Sequence, residues 1–164
     1  MNNLVSVVIP TRNEEENVKQ LMFGIATALE GNNIKCERIV VDDSSDKTAE
    51  IAEQYGARVI KGKGQGLGQA IIDGIKASLG NIVVVMDSDF SHRPQDIPRL
   101  LKPILVEGAD MTIGSRYVRG GSNPNWSLKR RIISRVACLL GQPIVGVKDA
   151  TSGFFAFRKE ILEV

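Results

Sequence analysis

The sequence predicts an α/β fold built on a mostly parallel sheet with helices on both faces. Three observations carry that prediction. Apolar runs of strand length alternate with segments whose apolar residues recur at helical spacing. The runs are apolar throughout, as strands buried on both faces require. Polar clusters follow four of them: "PTRNEE", "DDSS", "DSDFSH" and "SRY". In open sheets of this kind, ligands bind beyond the carboxyl ends of the strands, where the strand order reverses.

The first strand is "LVSVVIP", residues 4–10. "NEEENVKQLMFGIATALEG" follows, with Val18, Leu21, Met22, Ile25 and Leu29 on one helical face. Asn13 is expected to cap this helix, acids to fill its first turn, and Gly31 to end it. "ERIVVDDSS" is a second strand ending in carboxylates, and Asp46 is expected to cap a short helix running to Tyr55, ahead of Gly56. "ARVIK" reads as the third strand, "GLGQAIIDGIKASLG" as the third helix and "NIVVVMD" as the fourth strand. "PQDIPRLLKPILVEG" is expected to be a helix kinked or frayed by its prolines, and "ADMTIGSR" a fifth strand. The closing "GFFAFRKEILEV" reads as a strand and the first turn of a helix with nothing to pack on, so the domain is expected to continue past Val164. Phe154, Phe155 and Phe157 are expected in the core.

The 164 residues suit one domain, with 43% apolar residues and a formal net charge of +2. Charge is unevenly spread. Residues 1–60 carry ten acids and six bases, whereas between Asp110 and Asp149 there is no acid and there are seven bases: Arg116, Arg119, Lys129, Arg130, Arg131, Arg135 and Lys148. That asymmetry points to an anionic partner for the second half. Cys36 and Cys138 are far apart and imply no disulfide framework, and Cys138 reads as a core thiol. The opening "MNNLVSVVIPT" is a strand rather than a signal peptide, and no apolar run approaches the roughly 20 residues of a membrane span. A soluble, reducing compartment is expected.

Of two common nucleotide sites, the sequence disfavours the dinucleotide-binding one and excludes the P-loop. A dinucleotide-binding domain needs G-x-G-x-x-G directly after the first strand, but "PTRNEEEN" has no glycine there. The glycine-rich "GKGQGLG" follows the third strand instead, and no P-loop signature occurs. The fourth strand ends in Asp87 and Asp89 with one residue between them. Such like charges repel unless a cation sits between them. A hard divalent cation such as Mg²⁺ or Mn²⁺ prefers oxygen ligands together with substrate phosphates, and would neutralise a diphosphate leaving group. Alternatively, the pair merely caps the next segment.

A family resemblance then enters through seven ordered blocks: "VVIPTRNEEENV", "IVVDDSSDKTAEIA", "GLGQAIIDGI", "VVVMDSDFSHRP", "GSRYVRGG", "LKRRIISR" and "DATSGFFAFRKEIL". The chain resembles the dolichyl-phosphate mannose synthases, inverting family 2 glycosyltransferases of the GT-A fold. The resemblance implies a GT-A nucleotide-diphospho-sugar transferase fold, a Rossmann-like sheet forming one domain over residues 1–164 that is truncated at its C-terminal end. It assigns Pro10, Arg12, Glu14, Val41 and Asp43 to the nucleoside, with Asp43 near the base or ribose. It makes Asp87, Ser88 and Asp89 the diphosphate centre, with Asp87 and Asp89 as metal ligands. Ser91 matches a position where some members carry Gln as a further metal contact, and being shorter it would bind weakly or through water. His92, the single histidine, either reaches the metal or, as the favoured role, supports its ligands from behind or caps the next segment.

The resemblance further implies a nucleotide-sugar donor, a polyprenyl (dolichyl) phosphate acceptor, a membrane surface and no nucleic acid. A lipid phosphate has a second pKa of about 6 and is already ionised near neutrality, so one inverting displacement needs no general base. Arg116 is expected to contact a phosphate as a catalytic residue. The resemblance places Arg130 and Ser134 at the acceptor phosphate, and their spacing puts them on one helical face. The basic run is otherwise a solvated helix face. Its apolar stripe of Leu128, Ile132, Ile133, Val136 and Leu140 fits either a membrane surface or ordinary core packing. Asp149 either orients acceptor-site groups or begins a turn before Thr151 and Ser152, with a base role as the less favoured alternative.

The leading expectation is transfer of mannose from GDP-mannose to dolichyl phosphate, peripheral at the cytoplasmic face of a membrane. The alternatives are a UDP-sugar donor such as UDP-glucose, a saccharide or protein hydroxyl as acceptor, and a nucleotide-sugar binding module without turnover. A nucleotidylyltransferase is disfavoured, because the charge of "PTRNEEEN" is the opposite of what its first loop needs.

Overall fold

The computed structural model describes residues 3–115 and 152–162. Strands β1 (Leu4–Thr11), β2 (Lys35–Asp42), β3 (Arg58–Lys61), β4 (Ile82–Val85), β5 (Met111–Ile113) and β6 (Phe155–Arg158) form one sheet. Helices α1 (Val18–Glu30), α2 (Thr48–Gln54), α3 (Leu67–Ala77) and α4 (Ile97–Val106) cover it.

The strand order is β3-β2-β1-β4-β6-β5. β1 pairs in parallel with both β2 and β4, and β2 with β3. The chain therefore builds outward from β1 to β3 on one side, then crosses to β4 on the other. The order reverses between β1 and β4, and their carboxyl ends open the crevice where such sheets bind ligands. β6 slots between β4 and β5, antiparallel to both. Its first residue, Phe155, thus pairs with Val85 at the carboxyl end of β4, so residues 152–154 lie at the same edge as the polar clusters.

Alternate residues of the central strands feed two apolar clusters, one on each face. Val5, Val7, Ile9, Val40, Ile82 and Val84 pack with α1 and α4, while Val8, Ile39, Val41, Val83 and Val85 pack with Ala70 of α3. Phe154 and Phe157 are buried and Phe155 is partly buried, as expected of core residues. Helix α3 presses close: a methyl group at Gly74 would fall 2.3 Å from Val8 Cγ1.

Four local expectations are corrected. Asn13 does not cap α1; it has φ 58°, and the helix starts at Val18 with Asn17 before it. The acids Glu14 to Glu16 precede the first turn rather than filling it. The reason is that Asn13, Glu14 and Glu15 spend their backbone N–H groups on side chains of the β2–α2 loop. The proline-rich segment starts as a 3-10 turn, Pro94–Asp96, and α4 then runs on through Pro103. After β6 the chain forms a 3-10 turn, Lys159–Leu162, rather than α-helix.

At the opposite, amino edge, Glu37 holds the entry to β4. Its Oε1 accepts from Ser6 Oγ at 2.5 Å and from the Leu79 N–H at 2.6 Å, and its Oε2 pairs with Arg58 at 3.1 Å. Burial pushes the Glu37 carboxyl up, but the hydroxyl, the amide and the guanidinium together outweigh it and hold it below the usual range.

Candidate active site at the carboxyl edge of the sheet

The site begins with a tie between the two central loops. Thr11 ends β1 and donates its hydroxyl to Asp42 Oδ1 at 2.6 Å. Asp42 ends β2 and also accepts from Ser44, through Oγ at 2.6 Å and the backbone N–H at 3.2 Å. A buried carboxylate is tolerated only with such donors. Asp42 is therefore consumed by structure, although "DDSS" offers two equal candidates.

The β1–α1 loop is fastened to the β2–α2 loop residue by residue. Ser44 Oγ accepts from the Asn13 N–H at 2.7 Å, and Asn13 Oδ1 accepts from the Ser45 N–H at 3.0 Å. Thr48 Oγ1 accepts from the Glu14 N–H at 2.8 Å. Asp46, one residue before the α2 N-cap Lys47, accepts the Thr48 N–H at 3.0 Å. The Thr48 hydroxyl is the chief group holding the Asp46 carboxyl below its ordinary range. The cap position expected of Asp46 is thus held by Lys47, and Asp46 binds the first amide of α2 from one residue earlier. Glu14 turns its Oε2 towards Asn17 Nδ2 at 2.8 Å, and Arg12 is exposed. The left-handed backbone of Asn13 is one that asparagine adopts at small cost.

Asp43 sits just beyond this tie. Its N–H donates to Thr11 O at 3.0 Å, and its Oδ1 accepts the Gly64 N–H at 2.8 Å. The glycine-rich loop after β3 thus reaches under Asp43. That loop is pinned to α3 by the Lys63–Asp73 ion pair at 2.9 Å. Pro10 and Val41 are paired in register and buried, and the Val41 side chain belongs to the core beneath α3. Any contact Val41 makes with a ligand comes from its main chain.

Across the switch point, the Met86 N–H donates to Val8 O at 3.1 Å and extends the β1–β4 ladder to the edge of the site. Asp87 is half-buried, Ser88 is buried and Asp89 is exposed. Asp89 Oδ1 accepts the Ser91 N–H at 2.9 Å, so the capping alternative describes part of its role. Phe90 between them has φ 57° while its ring packs on the core. A bulky residue held there costs about 1–3 kcal/mol, a strain that clusters at functional sites. His92 stacks on Phe154 with ring centroids 4.8 Å apart, which braces the turn against β6.

The structure thus gathers Pro10, Arg12, Glu14, Val41, Asp43, Asp87, Ser88, Asp89 and Ser91 at the ends of β1, β2 and β4. Arg116, Arg130, Ser134 and Asp149, like Cys138, lie outside the described residues. Sequence reasoning missed Thr11, Asp42 and Ser44 as the tie. It also missed Gly62 and Gly153, which pack against the Asp43 and Asp87 carboxylates with no room for a Cβ. The available signal was a glycine at a strand boundary beside the site.

Among the described residues, no cluster of three or more His, Cys, Asp and Glu side chains forms a self-sufficient metal cage. Two hard carboxylates, one set in a cradle that a Cβ would fill, instead fit a divalent cation that takes its remaining ligands from substrate phosphates and water.

The six-stranded, mostly parallel sheet flanked by helices, with two carboxylates at its switch point, has GT-A architecture. The chain belongs to glycosyl transferase family 2, which it matches over residues 6–164. It is 44% identical to a dolichol-phosphate mannosyltransferase of Pyrococcus furiosus, with 97% of this chain and 47% of that protein covered. It is 36% identical to a polyprenol monophosphomannose synthase of Mycolicibacterium smegmatis, covering 96% of this chain and 62% of that one. The chain therefore spans about half to three-fifths of the length of these relatives. Among solved structures, it superposes on mannosyl-3-phosphoglycerate synthase from Rubrobacter xylanophilus with TM-score 0.78 and 26% identity, over 97% of this chain and 54% of that one. It also superposes on Mycobacterium tuberculosis glucosyl-3-phosphoglycerate synthase in complex with Mn²⁺, UDP and glucosyl-3-phosphoglycerate. There the TM-score is 0.75 and identity 30%, over 98% and 58% of the two chains.

Proposed function

We propose that this chain carries the catalytic domain of an inverting transferase that moves mannose from GDP-mannose to a polyprenyl (dolichyl) phosphate. The observation that carries the reading is the placement of Asp43, Asp87 and Asp89 around the β1/β4 switch point. The relatedness to enzymes named for mannosyl transfer to such lipids supports it.

In this reading the nucleoside lies on the fastened β1 and β2 loops, against Pro10, Arg12, Glu14, the main chain of Val41 and the carboxylate of Asp43. The diphosphate lies over Ser88, between Asp87 and Asp89. Asp87 and Asp89, with the Ser91 hydroxyl as a weaker contact, would hold Mg²⁺ or Mn²⁺, which would supply charge neutralisation for the departing diphosphate. The acceptor phosphate oxygen forms a bond to the anomeric carbon as the bond from that carbon to the diphosphate oxygen breaks. GDP leaves with the electron pair and the configuration inverts. The ionised acceptor needs positioning rather than a base. Arg116, Arg130 and Ser134 are proposed to hold that phosphate.

The lipid acceptor sets the reaction at a membrane surface, proposed to be its cytoplasmic face. Among the described residues no helix is long and apolar enough to cross a membrane. A UDP-sugar donor is the second reading, favoured by the likeness to a synthase crystallised with UDP and Mn²⁺.

The test is a transfer assay on the purified chain with Mn²⁺, polyprenyl phosphate and either GDP-mannose or UDP-glucose, with the lipid product read by mass spectrometry and its anomeric configuration by NMR. β-Linked mannosyl lipid from the α-linked donor is expected. Glucosyl lipid alone would move the donor to uridine. Donor binding without transfer would leave a binding module and overturn the proposal.

A further inference from the structure

Two of the three aspartates gathered at the site are seated against a glycine from another loop. A methyl group at Gly62 would fall 2.3 Å from Asp43 Oδ1 and 2.8 Å from Oδ2. One at Gly153 would fall 2.3 Å from Asp87 Oδ2 and 2.6 Å from Oδ1. Neither glycine is among those with positive φ, so backbone conformation does not demand glycine at either place. The space is demanded by the carboxylate. Both loops are also fixed from behind. Gly62 donates its N–H to Asp42 O at 2.8 Å, while Ser152 Oγ donates to Gly114 O at 2.7 Å and holds residue 153 at the mouth of β6.

We infer that Gly62 and Gly153 are positioning residues: Gly62 sets the carboxylate of Asp43 for the nucleoside, and Gly153 sets that of Asp87 for the metal–diphosphate centre. The inference rests on the nucleotide-sugar reading above. Its physical core is which group yields when a methyl is added. The nearest obstacle at each glycine is the end of a short, rotatable side chain, not backbone. The carboxylate swings to another rotamer, Asp43 gives up its bond from the Gly64 N–H, and the fold stays intact.

The experiment compares Gly62→Ala, Gly153→Ala and the control Gly68→Ala, where a methyl group meets nothing within 4 Å. GDP and UDP are titrated calorimetrically into each full chain, with Mn²⁺ and with chelator, and melting temperatures are recorded. Gly62→Ala is expected to weaken nucleotide binding about tenfold in both conditions, as loss of one charge-assisted contact does. Gly153→Ala is expected to remove only the gain that Mn²⁺ gives. Gly68→Ala should bind as wild type does. Melting temperatures should stay within a few degrees of wild type throughout, which a purely structural role for the glycines does not allow. In Asp43→Ala and Asp87→Ala backgrounds, where the obstacle is gone, the corresponding glycine change should cost nothing further.

Wild-type affinity in both glycine variants, or losses that add fully in those backgrounds, would overturn the inference. So would unfolding of the single variants, since the backbone rather than the carboxylate would then have yielded. A wild-type chain that binds neither GDP nor UDP would sink the nucleotide reading itself, and the inference with it; the failure then shows in the parent chain rather than in the variants alone.

Discussion

The Thr11 hydroxyl donates to Asp42 Oδ1 across the carboxyl ends of β1 and β2, and the same oxygen accepts from Ser44 Oγ, both at 2.6 Å. This buried tie joins the two loops proposed to carry the nucleoside. Asp42→Ala strands both hydroxyls and is expected to cost about 1–3 kcal/mol of stability by urea denaturation. Asp42→Asn keeps an acceptor and should lose less. Both should weaken GDP binding through the loops, although Asp42 itself faces the interior.

Asp89 makes a different prediction, because it is exposed and its Oδ1 accepts the Ser91 N–H. Asn also accepts through Oδ1, so Asp89→Asn keeps the turn while removing the charge. Its stability is expected within about 0.5 kcal/mol of wild type, as for ordinary surface changes. Its Mn²⁺-dependent nucleotide binding should be lost. A stability loss matching the binding loss would mean the residue serves the turn alone.

Helix α3 tests the packing beneath the site. Gly74→Ala drives a methyl to within 2.3 Å of Val8 Cγ1 and 3.1 Å of Val41 Cγ2, both in the core. Overpacking of this kind costs about 1–3 kcal/mol, and the better helix propensity of Ala returns less than about 1 kcal/mol of it. Thermal unfolding should show a net loss.

Glu37 governs the acid side of stability. Its carboxyl lies below the usual range because the donors of Ser6, Leu79 and Arg58 outweigh its burial. A carboxylate whose folded pKa is depressed contributes stability that is fully present above the unfolded value of about 4.3 and is lost as pH falls through the folded one. Between about pH 5 and about pH 3, the melting temperature of wild type should therefore fall more steeply than that of Glu37→Gln. Parallel slopes would contradict this assignment.

The strands that build the site were readable because β1 and β4 are buried on both faces, which leaves continuous apolar runs in the sequence. The polar clusters after them were readable for the complementary reason, since a carboxylate at a strand end stands out against valines. The difference between Asp42 and Asp43 was readable only through the family resemblance, because neighbouring carboxylates look alike until the Thr11 hydroxyl claims one of them. Asn13 followed the helix-cap rule on its own sequence, but contacts with Ser44 and Ser45 won its backbone and side chain. The insertion of β6 between β4 and β5 leaves no local trace either, since strand order is set by long-range pairing. The same holds for Gly153, whose partner Asp87 is distant in sequence and adjacent only because β6 runs antiparallel to β4.

Whether Asp87 and Asp89 form a metal–diphosphate centre is decided by calorimetric titration of GDP into wild type and Asp89→Asn, each with Mn²⁺ and with chelator. Tight GDP binding to wild type is expected only with Mn²⁺, and equal, weak binding to the variant in both conditions. GDP affinity that is indifferent to Mn²⁺ in wild type, or unchanged in Asp89→Asn, would contradict such a centre.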